Sequence, residues 1–240
     1  MTTLQRLGTG LAVVAMAATL ASWNRGPREP EWQGRTFSAW WTDLYSLSEP
    51  AHSPAAVARR APAQQAVRAM GVTAVPHILA RMDAPDTVAR LQADGVFSRA
   101  GWRGHPFAPG AAEQGRAMFA FQALGVAGAD AVPHLRMMLE DPRLTQAAAV
   151  SLGWIGPASL PALTEAAQHR DPWVRLWGTL GLGWLNDGAR PAAPMLRDAL
   201  GREPDAQVCW AIAWTLQRVR PEWSVSPPAL ATSAPAPGAR

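Results

Sequence analysis

The chain has 240 residues, 48% of them hydrophobic, enough to bury a core in one or two domains. All 22 basic residues are arginine, and 18 acids leave a formal net charge of only +4. Residues 31–239 hold 18 Arg against 17 acids, a net of +1, so the basic stripe of a nucleic-acid binder is not expected.

Residues 1–30 differ from the rest. Between Arg6 and Arg25 there is no charge, and Leu11 to Ala21 is continuously apolar or small. A basic start, an apolar run and the small-x-small triplet Thr19-Leu20-Ala21 describe a secretory signal peptide. If uncleaved, the same segment is an N-terminal membrane anchor, with residues 7–24 in contact with the lipid. Either way the body of the protein is expected to be exported, periplasmic or membrane-anchored. Residues 31–50 contain GRTFSAWWTDLYSL, where Phe37, Trp40, Trp41, Leu44 and Tyr45 share one helical face. The expectation is a capping helix over the exposed end of the body.

The body itself is repetitive, and a repeat is the feature to seek before local motifs. Ala69 to Leu79, Ala123 to Leu139, Ser151 to Ala167 and Gly181 to Leu200 share a pattern: Leu or Met, then Gly, a short turn, then Pro with leucine-like residues. Between them recur acidic turn segments, with Asp/Glu-Pro pairs at Asp141-Pro142, Asp171-Pro172 and Glu203-Pro204. Both markers have a period of about 30 residues, which predicts two helices per repeat. Asp171 can cap a helix start and Pro172 fits its first turn, where a missing N–H costs nothing. In the corner, Gly153 falls near the end of one helix and Gly156-Pro157 turns the chain. Ser159 then reads as the next N-cap, with Pro161 in the first turn. Leu160, Leu163 and Ala167 form the buried stripe. Glycines such as Gly178 and Gly181 allow close helix approach. Each pair has too much apolar surface to stand alone, so the pairs must stack.

The D-P-x-V-R run carried by Asp171, Pro172, Val174 and Arg175 resembles HEAT repeats. So does the corner carried by Leu152, Gly153, Ile155, Gly156, Pro157, Pro161 and Leu163. The short variety found in phycobilisome lyases is the nearest, over roughly residues 64–219. The resemblance implies an all-α, armadillo-like α-solenoid of about four to five helix pairs over residues 51–220. It also implies that Asp171 and Arg175 tie neighbouring repeats together. Gly34 to Leu44 looks like the opening of exported bacterial HEAT-repeat proteins.

The glycine interval from Gly71 to Gly125 is 54 residues, so an insertion interrupts the first repeat, with a loop near residues 100–112. Insertions in solenoids often lie on the binding face. Trp102, Arg103, His105 and Phe107 are therefore candidate partner contacts, as is Trp173 at a helix N-terminus. Trp154, Trp177, Trp184, Trp210 and Trp214 lie at core spacings, and packing is their expected role; a line of exposed aromatics would instead mark a peptide or protein site. Cys209, in the apolar run QVCWAIAW, reads as a small buried hydrophobe. Residues 221–240, rich in Pro, Ala and Ser, are expected to be a disordered tail.

Catalytic signatures are absent from the sequence: there is no GxSxG, HExxH or Walker pattern, and no Cys/His zinc spacing. His77 and His134 both follow a repeat proline, but no acid or cysteine accompanies them at ligand spacing. No cofactor or metal is expected. The expected function is a non-catalytic scaffold for protein partners in the cell envelope. The alternative is an enzyme-class role like that of the HEAT-repeat lyases and hydroxylases, with a groove for a small molecule or chromophore.

Overall fold

The computed structural model describes residues 28–47, 50–86, 91, 92, 96 and 110–223. The expected signal or anchor (residues 1–27 of it), most of the insertion loop and the tail from residue 224 lie outside the described residues. Within the described residues no helix is long and apolar enough to cross a membrane.

The capping segment is shorter and more complex than a helix over 31–50. It starts with a two-stranded antiparallel hairpin, β1 (Glu31–Trp32) and β2 (Arg35–Thr36). Gln33 and Gly34 both have positive φ, 50° and 71°, as a tight turn matching strand twist requires. Only Phe37–Leu44 is helical (α1), and Tyr45 is already extended. Phe37, Trp41 and Leu44 are fully buried, so the segment does close the end of the core.

Helix pairs come next, and their arrangement is an all-α solenoid. They are α2 (Pro54–Met70) with α3 (Val75–Met82), α4 (Gly110–Leu124) with α5 (Val132–Met138), α6 (Thr145–Ile155) with α7 (Leu160–Ala166), and α8 (Pro172–Trp184) with α9 (Ala193–Leu200). A single helix, α10 (Ala206–Val219), ends the stack. The first helices α4, α6, α8 and α10 pack along one another as a layer, and each second helix lies against the first helix of the next pair. One hydrophobic core runs through the whole stack from Phe37 to Val219. The loop expected through residues 110–112 is helix, because α4 begins at Gly110. Asp86 reaches across the insertion to accept the Gly110 N–H at 2.7 Å, and the alanines after it favour helix.

The corners show a register different from the one the Leu-Gly pairs suggest. Gly71, Gly125, Gly156 and Asn186 each come just after a helix's last residues and each has positive φ. Gly153 and Gly183 sit three residues earlier, inside α6 and α8, so they match neither Gly71 nor Gly125. A Cβ on Gly153 would lie 2.8 Å from Trp184 Cβ and 2.9 Å from the Gly181 carbonyl oxygen. Their role is close approach rather than turning. Ser159 does not cap α7: its Oγ is buried without a partner, and the preceding 3-10 turn Pro157–Ser159 supplies the entry instead.

Candidate functional site

Each acidic turn segment does part of one job. Asp171 caps α8 by accepting the Trp173 N–H at 2.8 Å, with Pro172 at the first helical position. Asp205 caps α10 from Gln207 and Val208, which frees Glu203 for another partner. After Asp141-Pro142 the helix is delayed. The Asp141 carboxylate accepts from Arg143, both backbone and guanidinium, and α6 starts only at Thr145. Those bonds hold the Asp141 carboxyl below its ordinary range, the Arg143 side chain contributing most.

Four residues after each acid, the side chain returns to the carbonyl six residues back. Thr145 Oγ1 donates to Leu139 O at 3.1 Å, Arg175 Nη1 to His169 O at 3.0 Å and Cys209 Sγ to Glu203 O at 3.3 Å. This clamp closes the turn between one repeat and the next. Arg175 does more, because its Nε and Nη2 grip both Glu203 carboxylate oxygens at 2.9 and 2.8 Å. Of the two residues expected to link repeats, Arg175 makes the link and Asp171 caps its own helix. Cys209 is half-buried rather than fully packed, and burial, the largest cause, pushes its thiol pKa up. That is the opposite of an activated nucleophile.

The N-terminal cap is fastened by a buried charge. Glu113 on α4 is fully buried and accepts from Trp41 Nε1 at 2.8 Å and Arg116 Nη1 at 2.6 Å, with Arg81 Nη1 at 3.8 Å. The sequence marked Trp41 as core but not its acidic partner 72 residues away. His77 lies against Phe37, ring centroids 5.7 Å apart, and burial lowers its pKa. Glu29 opposes that shift and Arg81 adds to it. Among the described residues no group of three or more His, Cys, Asp or Glu could hold a metal ion.

The second helices leave open grooves between them. One, of about 890 Å³, lies between α7 and α9 and includes Leu160, Thr164, Gln168, His169 and Met195 in its walls. A smaller one, about 210 Å³, lies between α5 and α7. Beside it Arg136 and Glu165 pair through two 2.8 Å bonds, and Glu140 lies 3.4 Å from His169.

The first-helix layer carries the more unusual feature. Trp177, Trp184, Trp210 and Trp214 are each half-buried, as is Trp154, and of these Trp177 packs against the core. They form a ladder. Trp173, 40% exposed, meets Trp177 edge-on at 5.6 Å. Trp177 and Trp184 lie nearly parallel at 6.4 Å, Trp184 meets Trp214 edge-on at 6.2 Å, and Trp214 and Trp210 are parallel at 6.3 Å. Glycine positions explain why such large rings stop at half burial. Trp184 packs over Gly153, and Trp214 lies where a Cβ on Gly183 would be. The Trp214 ring therefore lies directly over the α8 backbone at Gly183, and Trp184 approaches α6 at Gly153 through its Cβ. Arg218 frames the end, over Trp214 at 4.9 Å, while bonding the Gly183 carbonyl and Asn186. Trp177 Nε1 is shielded from solvent without an acceptor, which costs about 1–3 kcal/mol. Of the five candidate contact residues, Trp173 joins this ladder; Trp102, Arg103, His105 and Phe107 lie outside the described residues.

These features define a helical-repeat protein whose aromatic surface crosses two repeats. Residues 132–217, from α5 through most of α10, match a family model described as HEAT repeats. No curated protein and no solved structure matched the chain.

Proposed function

We propose that the protein is a non-catalytic interaction scaffold of the cell envelope, and that the tryptophan ladder is where a partner docks. HEAT repeats often serve as interaction scaffolds. The observation that carries this reading is the ladder itself. Five tryptophans in unbroken contact, open on one side, present the rigid aromatic area that dominates protein interfaces at little entropic cost. The envelope location is supported by the uncharged span between Arg6 and Arg25 and by the likeness of Gly34 to Leu44 to exported HEAT-repeat proteins. A lyase-like role is the second reading, and the groove between α7 and α9 is the feature that favours it.

The test is quantitative co-purification from an envelope fraction, comparing the native chain with Trp177→Ala/Trp184→Ala/Trp214→Ala. A protein recovered stoichiometrically with the native chain should be reduced at least tenfold with the variant. Equal recovery would reject the ladder as the docking face. Chromophore absorbance in the purified protein would favour the lyase reading.

A further inference from the structure

The body is close to charge balance, yet its charges are not spread evenly over the layers. The first helices α2, α4, α6, α8 and α10 carry six arginines and a single acid, Glu113, which is buried. Every other described carboxylate lies in a turn or loop, in the N-terminal segment or on a second helix.

Two of these arginines are neutralised, Arg116 by Glu113 at 2.6 Å and Arg175 by Glu203 at 2.8 Å. Arg218 is held differently. Its Nε donates to the Gly183 carbonyl at 3.1 Å and its Nη2 to Asn186 Oδ1 at 2.6 Å. Both are neutral acceptors, which fix the guanidinium without cancelling its charge. The side chain is exposed, and its guanidinium lies over the Trp214 ring at 4.9 Å. Arg68 repeats the arrangement at the other end of the layer. It is exposed, close to the end of α2, and donates from Nε to the Ala123 carbonyl near the end of α4 at 3.3 Å.

A guanidinium already fixed in place loses little freedom when it takes a carboxylate. Here it stands beside rings that suit apolar side chains, so the corner formed by Trp184, Trp214 and Arg218 matches an acid flanked by apolar residues. A nucleic acid is a poorer match, because it needs cations along the whole path of its backbone. At the opposite end of the ladder, where Trp173 and Trp210 sit, the turns before α8 and α10 are of mixed charge. Asp171 and Asp205 occur there with Arg170 and Arg202.

We propose that the partner docking on the ladder is an acidic peptide segment, its carboxylate paired with Arg218 and its apolar side chains packed on Trp184 and Trp214. The inference rests on the docking reading and names the class of partner. Arg218 sets which partner is accepted, and the tryptophans set how tightly it is held.

The test is selection from a random-peptide phage library on the full chain, on its Arg218→Gln and Arg218→Glu variants, and on Trp177→Ala/Trp184→Ala/Trp214→Ala, with circular dichroism confirming that each is folded. The native chain should enrich peptides that combine Asp or Glu with aromatic or aliphatic residues. Synthetic copies of those peptides should bind Arg218→Gln about tenfold more weakly. Arg218→Glu should enrich Lys and Arg in place of the acids. Selected peptides without an acidic bias, or bound unchanged by both Arg218 variants, would overturn the inference; the docking reading would stand if the tryptophan variant no longer bound them. Equal binding by the tryptophan variant would reject the docking reading itself. No enrichment on the native chain would overturn the inference. So would tighter binding of a single-stranded oligonucleotide than of any selected peptide, by assigning the face to nucleic acid.

Discussion

Gly183 has only a hydrogen where any other residue would strike the Trp214 ring. The pairing of a glycine with the next repeat's tryptophan sets how closely α8 and α10 approach. Gly183→Val should therefore separate the helices or expel the ring, at a cost of about 3 kcal/mol. Thermal denaturation followed by tryptophan emission would register both effects; an unchanged midpoint would mean that the helices are not this close. The sequence showed these glycines, and it showed that close packing is a use for them. It showed that Gly156 turns the chain in its own corner, but not that Gly125, which matches Gly153 in letters, turns the chain in the preceding one. Leu152-Gly153 and Leu124-Gly125 look alike in letters, yet Gly125 has a positive φ of 51° and Gly153 sits within a helix. Backbone conformation depends on the residues downstream, and Gly156 takes the turning role in the later repeat.

Between elements, the connection that most resists sequence reading is the one made by long side chains. Arg175 spans from α8 to Glu203, ahead of α10, with two charge-assisted bonds and two carbonyl contacts. Glu203 is largely buried, so removing the arginine leaves a carboxylate in poor solvent. Arg175→Ala should cost about 2–4 kcal/mol, and a double-mutant cycle with Glu203→Gln should show strong coupling. Additive effects would mean that the two side chains do not act together. The motif resemblance anticipated a linking role for Arg175, and the capping role of Asp171 was legible from the Asp-Pro pair. The delayed start of α6 was not, because Asp141 turns towards Arg143, a residue with no counterpart in the other two segments. The N-terminal hairpin escaped for a similar reason: two residues per strand are too few to show alternation, and only Gln33-Gly34 signalled a turn. The buried Glu113 illustrates the limit, since its partner Trp41 is distant in sequence and adjacent only after the stack has closed.

At the scale of the molecule, periodicity carried the architecture. A repeat of about 30 residues, marked by acid-proline pairs and by a glycine with a proline after the turn, requires stacked helix pairs, and four pairs with a closing helix are what the described residues form. The candidate site was less legible. Helical spacing assigned the tryptophans to the core. Their half burial arises because each ring sits over a glycine or beside another indole at the surface of the layer, and spacing along one helix does not report the neighbouring helix. The two faces of the stack now make different predictions: the first helices offer an aromatic ladder, the second helices open grooves. The most direct measurement is site-specific photo-cross-linking in the native host, with the reactive group placed at Trp173 or Trp184 on the ladder and at Gln168 or Asp198 on the opposite side. The scaffold account predicts a discrete cross-linked partner from the ladder positions and little or none from the others. Cross-links confined to Gln168 and Asp198, or equal from both faces, would contradict it.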